Sequence, residues 1–110
     1  MLSKFNAIHD KMPHVGTPQK KSLYDHAGGF KIQSIALRTG GVIPPCAMSR
    51  DVMFYIINGS GQITVDGETQ VLHAGDGCVV PASCESRSIS AQTDMTILAV
   101  QGGSESKETG

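Results

Sequence analysis

Several residue classes are rare in this sequence, and each shortage argues against a class of protein. There is no tryptophan, and charged residues make up only 17% of the 110 residues. Nine Lys and Arg against ten Asp and Glu give a formal charge of −1, without the basic excess typical of nucleic-acid-binding proteins. No apolar run approaches the roughly 20 residues of a membrane-spanning helix. We therefore expect neither a nucleic acid nor a membrane as a partner.

Cysteine is scarce as well, with only Cys46, Cys78 and Cys84. An odd number of cysteines cannot all pair within one chain, and none of them has the C-x-x-C spacing of a zinc ribbon or a thioredoxin-like motif. The first ten residues lack the apolar stretch of a signal peptide. Free thiols without an export signal predict a cytoplasmic protein.

The sequence is 39% hydrophobic and holds thirteen Gly and five Pro, which predicts one domain built from many short elements. Apolar runs and polar–apolar alternation predict strands at 30–38, 52–57, 62–66, 68–73, 78–80, 84–90 and 94–100. Asp66-Gly67 is typical of a type I′ hairpin turn. Short strands with turn signals between them, uninterrupted by a long helical period, predict an all-β sandwich or barrel.

The two ends of the chain differ from this pattern. Residues 1–29 are predicted to form an N-terminal arm, in which Leu2, Phe5, Ile8 and Met12 have helix-like spacing. The arm either packs on the outside of the barrel at 30–100 or exchanges with a partner subunit. Residues 101–110 are polar and rich in Gly, Ser and Glu, which predicts a flexible tail.

The segment 41–100 carries two groups of residues that resemble the motifs of the cupin superfamily. The framework of the first motif is matched by Gly40, Ile43-Pro44-Pro45 and Asn58-Gly59-Ser60-Gly61. The opening of the second is matched by Gly75-Asp76 and Val79-Val80-Pro81. The chain is most similar to the small, single-domain conserved-barrel (RmlC-like) cupins. The resemblance implies a double-stranded β-helix, or jelly-roll barrel. Independently of the family, Gly59 and Gly75 lie at predicted tight turns that require residues tolerant of unusual φ values.

In metal-dependent cupins these motifs supply three histidines and a glutamate to one metal ion. The matching positions here hold Cys46, Met48, Val52 and Ser86. The valine side chain has no donor atom, so the resemblance does not extend to the standard metal site. We therefore expect a degenerate site and no resident cofactor.

Sulfur offers a second interpretation of the same positions. If Cys46 and Met48 share one strand face and Cys84 and Ser86 share the facing one, soft ligands for Cu(I) or a redox pair would converge in the barrel mouth. Alternatively, the sulfur side chains fill a barrel interior that has lost its metal. Both interpretations stay open, with Cys46, Met48 and Cys84 as the metal candidates.

The arginines and histidines also allow more than one interpretation. Arg50 and Arg87 lie near motif positions, where a guanidinium would suit a carboxylate or phosphate ligand, or else they are surface residues in solvent. His9, His14 and His26 would form a metal cluster only if the arm folded across the barrel mouth.

Three functions follow from these patterns: a metal-free barrel that binds a small molecule or regulates, an isomerase or oxygenase-like enzyme using Cys46, Met48 and Cys84, or a structural protein whose barrel mainly dimerises, with 52–57 supplying part of the contact. No catalytic residue is identified, so enzyme activity stays open. We favour the small-molecule-binding barrel and expect a homodimer. The candidate ligand-binding residues at the barrel mouth are Cys46, Met48, Arg50, Val52, Cys84 and Ser86.

Overall fold

Apolar residues at alternate positions of a strand share one face, which drives two sheets to pack against each other. A computed structural model describes residues 2–7, 19–25, 29–47 and 50–102. Nine strands lie within them: β1 Gln19–Asp25, β2 Lys31–Leu37, β3 Val42–Cys46, β4 Asp51–Asn58, β5 Ser60–Val65, β6 Glu68–His73, β7 Gly77–Val80, β8 Arg87–Ala91 and β9 Met95–Gly102. The prediction of an all-β fold is confirmed.

The strands form two antiparallel sheets that face each other. The five-stranded sheet has the order β1-β2-β9-β4-β7, and the four-stranded sheet has the order β3-β8-β5-β6. The chain passes from one sheet to the other after β2, β3, β4, β6, β7 and β8, as expected for a jelly roll. Neighbouring strands are therefore often distant in sequence, and each end of the barrel collects residues from several segments.

The core lies between the two inner faces. On β4 the buried residues are Val52, Phe54 and Ile56, whereas outward-pointing Tyr55 is 41% exposed. The inner face of β4 is therefore covered, whereas its outer face is partly open to solvent. The same alternation on β8 buries Ile89 and Ala91. Together these inner residues form one hydrophobic cluster.

The turns that the sequence predicts are present. Asp66 and Gly67 join β5 to β6 with φ values of 47° and 88°, as a type I′ hairpin requires. Gly59 also has a positive φ, of 87°, and a Cβ at this position would collide with the backbone of Asp94. Strand β7 ends at Val80, immediately before Pro81, which lacks the N–H needed to continue the ladder.

The N-terminal segment differs from a simple arm. Residues 19–25, within the predicted arm, form β1 and pair antiparallel with β2. Residues 2–7 contain no helix, and the remaining positions of the predicted helical pattern, Ile8 and Met12, lie outside the described residues. At the far end, β9 continues to Gly102, two residues into the predicted tail. In the part of the chain that the structure describes, no helix is long and apolar enough to cross a membrane.

The strand predicted at 84–90 starts later, at Arg87. The preceding residues form a turn instead, because the Asp66 Oδ1 atom accepts hydrogen bonds from the backbone N–H groups of Glu85 (2.9 Å) and Ser86 (2.8 Å). The Cys84 N–H donates to the carbonyl of Pro81 at 3.0 Å. Cys84 and Ser86 therefore do not share a strand face.

Candidate functional site

The inner faces of the two sheets enclose a cavity of about 70 Å³ near the start of β4 and the end of β9. Its apolar wall comes from both sheets and consists of Ile35, Ile43, Val52, Phe54 and Ala99. Its polar lining consists of Lys20, Gln33, Arg87 and Gln101. We call this space the Arg87 cavity.

Strand register explains why polar side chains line an interior space. Directly opposed residues on antiparallel strands point to the same face. Gln33 lies opposite Ala99, and Gln101 lies opposite Val52, so both glutamines point between the sheets. Lys20 lies opposite Ile35 and extends this inner face to the edge strand β1. The cavity thus becomes more polar toward one end of the barrel.

Arg87 is the most deeply buried charged group of this cavity, with only 6% of its surface exposed. It occupies the first position of β8, where alternation with Ile89 and Ala91 points it inward. Its guanidinium carbon lies 5.5 Å from the centre of the Phe54 ring, a cation–π contact that holds the head group against the apolar wall. Arg87 also makes a further interaction within the protein.

The charge balance of the Arg87 cavity is one-sided. Its described lining includes two cationic side chains and two amides but no carboxylate. Transfer of a guanidinium from water to a protein interior is costly unless hydrogen bonds or an opposite charge compensate. Arg87 has a further interaction within the protein, so its burial is not uncompensated.

The predicted site residues fall into different environments. Val52 is 2% exposed and lines the Arg87 cavity. Cys46 is exposed, and its thiol donates a hydrogen bond to the neighbouring carbonyl of Ala47 at 3.2 Å. Arg50 is half-buried and packs close to Gly29. Met48 lies outside the described residues.

Cys84 and Ser86 complete the predicted set. Cys84 is 5% exposed and belongs to the hydrophobic core, whereas Ser86 is half-buried in the turn before β8. Neither lines the Arg87 cavity. The structure therefore places one thiol at the surface and the other in the core, rather than both in the cavity beside Val52.

The donor set of the Arg87 cavity does not fit the metal site of metal-dependent cupins. Metal ions in such sites need imidazole nitrogens or carboxylate oxygens. At the matching place the described lining offers aliphatic and aromatic carbon, two amides and two cations. Among the described residues, no three His, Cys, Asp or Glu side chains form a group able to hold a metal ion.

The histidines lie away from this cavity or outside the described residues. His9, His14 and His26 lie outside the described residues. His73 is exposed at the turn after β6, where its backbone N–H donates to the Asp76 carboxylate at 2.7 Å and its Nδ1 lies 3.8 Å from the same oxygen. The contact stabilises this turn.

Arg87 was considered for its guanidinium but was not among the barrel-mouth residues that motif alignment selected, and its burial rules out the interpretation as a surface residue in solvent. The alignment assigned Ser86 to the interior because it followed motif spacing. The signal was nevertheless present, since Ile89 and Ala91 alternate with serines and predict that position 87 shares their inward face.

A second, larger cavity of about 370 Å³ opens between the edge strands β6 and β7. Its lining includes Glu68, Gln70 and Val79, all exposed, together with half-buried Cys78. Burial raises the pKa of the Cys78 thiol, the hydrogen bond with the Phe54 backbone lowers it, and the Asp76 charge raises it slightly further. This cavity is an open groove lined by the carboxylates of Asp66 and Glu68, whereas the described lining of the Arg87 cavity has no carboxylate.

Comparisons with known proteins agree with this architecture. Residues 35–100 match the family model described as Cupin domain. No curated protein matches the chain. It is similar to a conserved protein of unknown function from Streptococcus pyogenes, with a TM-score of 0.81 and 22% identity over 96% of this chain and 91% of that one.

Two further solved structures extend the comparison. An RmlC-like cupin from Desulfovibrio desulfuricans has a TM-score of 0.79 and 18% identity over 92% of this chain and 97% of that one. Salicylate 1,2-dioxygenase from Pseudaminobacter salicylatoxidans has a TM-score of 0.71 and 21% identity, and the match covers 81% of this chain but only 28% of the enzyme. At these identities the likeness shows the fold alone. Because the family model spans more than half of the chain, the protein belongs to the cupin family.

Proposed function

We propose that this cupin is a small-molecule-binding barrel and that its ligand enters the Arg87 cavity. The observation that carries the proposal is a space enclosed by both sheets, with apolar walls and a few convergent polar groups. Binding sites in proteins commonly combine these features. The larger groove at β6 and β7 supports a ligand less well, because several of its lining side chains are exposed to solvent.

An enzyme based on sulfur has less support from the same geometry. A thiol nucleophile or metal ligand must be both accessible and able to ionise. Cys84 is only 5% exposed within the core, and Cys46 lies at the surface outside the cavity lining. Neither position supports a thiol reaction inside the barrel.

The proposal can be tested by mapping small-molecule binding onto backbone amide signals by NMR. A panel of anionic, neutral and cationic fragments is expected to shift signals of Val52, Phe54 and Ala99 more than those of Ile56 and Ile97. Val52→Phe is expected to abolish these shifts by filling the cavity. Val42→Phe is the matched control, since Val42 is 47% exposed on β3. Absence of shifts from any fragment, or shifts unaffected by Val52→Phe, would overturn the proposal.

We also propose that the barrel forms a homodimer through the outer face of its five-stranded sheet. Its central outward residues on β4, β7 and β9 are all uncharged: Met53, Tyr55, Ile57, Val79, Leu98 and Val100. Val79 is 68% and Tyr55 41% exposed. Two copies of this face meet without opposing like charges, which favours a second copy over a charged partner.

The dimer is tested by light scattering with size-exclusion chromatography. Val79→Lys is expected to convert a dimer to a monomer, because a lysine would be buried at the interface without a partner. Val71→Lys is the matched control, since Val71 is 56% exposed on the other sheet. A monomeric wild-type protein, or an equal effect of both substitutions, would contradict this interface.

A further inference from the structure

We propose that the groove between β6 and β7 is a second small-molecule site, and that its ligand is an organic ammonium ion with an apolar body. The groove has a different lining from the Arg87 cavity, so this inference goes beyond the proposed function and does not depend on it. Its volume of about 370 Å³ lies at the lower end of the roughly 300–1,000 Å³ of ligand pockets. The argument concerns the sheet edges, the floor of the groove and its charge.

The groove lies where both sheets end. In the described part of the chain, β6 pairs only with β5 and β7 pairs only with β4. Both strands are therefore edges, and the inner faces of the two sheets are open to solvent between them. An edge can also accept an added strand, but β7 has only four residues and ends at Val80, immediately before Pro81. A small molecule therefore fits this gap better than an extended peptide.

Strand register places a carboxylate at this gap. Glu68 lies opposite Val65 and Gln70 lies opposite Ile63, and directly opposed residues share a face. Because Ile63 is 3% exposed and belongs to the core, Glu68 and Gln70 are on the inner face of β6. The Gln70 Nε2 atom donates a hydrogen bond to Glu68 Oε2 at 3.1 Å, which orients the carboxylate. Both side chains line the groove and are exposed, so a ligand can reach them.

The floor of the groove is apolar and comes from both sheets. Ile63 on β5 and Val80 on β7 are 3% and 1% exposed. Val65 and Cys78 are partly buried and pack against the same hydrophobic cluster. A carbon chain or an aromatic ring lying on this floor removes apolar surface from water, which favours a ligand with an apolar body over a bare ion.

The charge of the groove is negative. Asp66 and Glu68 line it, and no Lys, Arg or His is among its described lining residues. The Asp66 Oδ1 atom accepts two backbone N–H groups, which fixes this carboxylate at the hairpin turn. Within the described residues, neither carboxylate forms a salt bridge. An ammonium group in the groove is attracted by both carboxylates, whereas an anion is repelled by both.

The test is an NMR titration with four probes. Benzylammonium, benzyl alcohol and benzoate share an aromatic ring and differ in charge, and methylammonium has the charge without the ring. We expect benzylammonium to bind most tightly of the four. We expect it to shift the backbone amide signals of Val65 and Gln70, at the groove, more than those of Gln33 and Ala99, at the Arg87 cavity.

Three variants assign the charge to individual residues. Glu68→Gln keeps the shape of the side chain and removes its charge, so we expect it to weaken benzylammonium binding by at least about fivefold. Asp66→Asn keeps an acceptor for the two backbone N–H groups and a residue tolerant of positive φ, and is expected to have a smaller effect. Asp25→Asn is the matched control, because it removes an exposed carboxylate from β1, at the opposite edge of the five-stranded sheet from β7.

Amide signals first establish that each variant is folded. The inference is overturned if benzyl alcohol or methylammonium binds as tightly as benzylammonium, or if folded Glu68→Gln keeps its affinity. An equal loss in Asp25→Asn, or shifts centred on Gln33 and Ala99, would also overturn it. If none of the four probes binds at the groove, Glu68 only protects the β6 edge against strand addition. That result overturns this inference and leaves the proposed function of the Arg87 cavity unaffected.

Discussion

The two ends of the barrel interior are built from the same strands and yet differ in chemistry. At one end, Leu37, Ile56, Met95 and Ile97 are all 0% exposed and pack side chain against side chain. At the other end, a few residues along the same strands, Gln33 and Gln101 face the Arg87 cavity. We refer to these as the closed end and the open end. The comparison separates residues that hold the sheets together from residues available to a ligand.

The closed end owes its density to backbone as well as side chains. A Cβ added at Gly61 would collide with the carbonyl of Ser90 and lie 2.7 Å from the sulfur of Met95. The glycine therefore lets two strands and a methionine approach closely. The open end has the reverse character, because a buried guanidinium contributes little net stability. We therefore expect the unfolding free energy to depend mainly on the closed end and ligand binding mainly on the open end.

The largest expected effect is at the closed end. Ile56→Ala removes a fully buried side chain and is expected to lower the unfolding free energy by about 2–5 kcal/mol, measured by urea denaturation. Ile57→Ala is the matched control, because Ile57 is the next residue on β4 and only half-buried. The division between the closed and open ends would be contradicted if both substitutions lowered the unfolding free energy equally, or if folded Ile56→Ala protein lost ligand binding.

The next largest effect on stability is expected at Gly59, in the turn at the closed end of the barrel. Gly59→Ala combines a positive φ with a Cβ that meets the Asp94 backbone, so we expect a loss of more than about 2 kcal/mol. Gly67→Ala has nearly the same φ, 88° against 87°, but nothing lies within 4 Å of its Cβ. It is expected to lose only about 1 kcal/mol. Equal thermal shifts for the two variants would contradict the close approach at Gly59.

A smaller effect is expected at the open end. Arg87→Met removes a buried cation and its contact with the Phe54 ring but keeps a side chain of comparable length, so the unfolding free energy of the ligand-free protein is expected to fall by about 1 kcal/mol. Urea denaturation beside Ile56→Ala provides the measurement. A loss above about 2 kcal/mol would mean that Arg87 is a structural residue and that the division between the ends is wrong.

The smallest effect is a difference in reaction rate among the thiols. Alkylation is expected to be fastest at exposed Cys46, slower at half-buried Cys78 and slowest at Cys84, which reacts only on unfolding. Because burial raises the pKa of Cys78 above the ordinary 9.0, its thiolate forms at higher pH and its labelling keeps increasing after that of an ordinary thiol levels off. Mass spectrometry of labelled peptides checks the order, with unfolded protein as the control. Fast labelling of Cys84 in the folded protein would contradict this order and would instead support the hypothesis of an enzyme that uses thiols.

Much of this fold follows from local patterns. Strand β6 has the predicted bounds, and the Asp66-Gly67 turn has the predicted backbone, because two-residue periodicity and positive-φ tolerance are properties of neighbouring residues. Strand β1 was not predicted, since Gln19–Asp25 is largely polar and its pairing with β2 depends on the sheet it joins. The late start of β8 depends on Asp66, about twenty residues earlier in the chain.

The candidate site was likewise predicted from the sequence only in part. The amino-acid sequence was enough to predict the all-β class, the turn glycines and the lack of histidine and carboxylate side chains at the four cupin ligand positions. Packing of the two sheets places Cys46 at the surface, Cys84 in the core and Arg87 beside a cavity with Gln33 and Gln101. The physical reason is that a strand's alternation has two possible phases, and contacts between sheets select which phase faces inward.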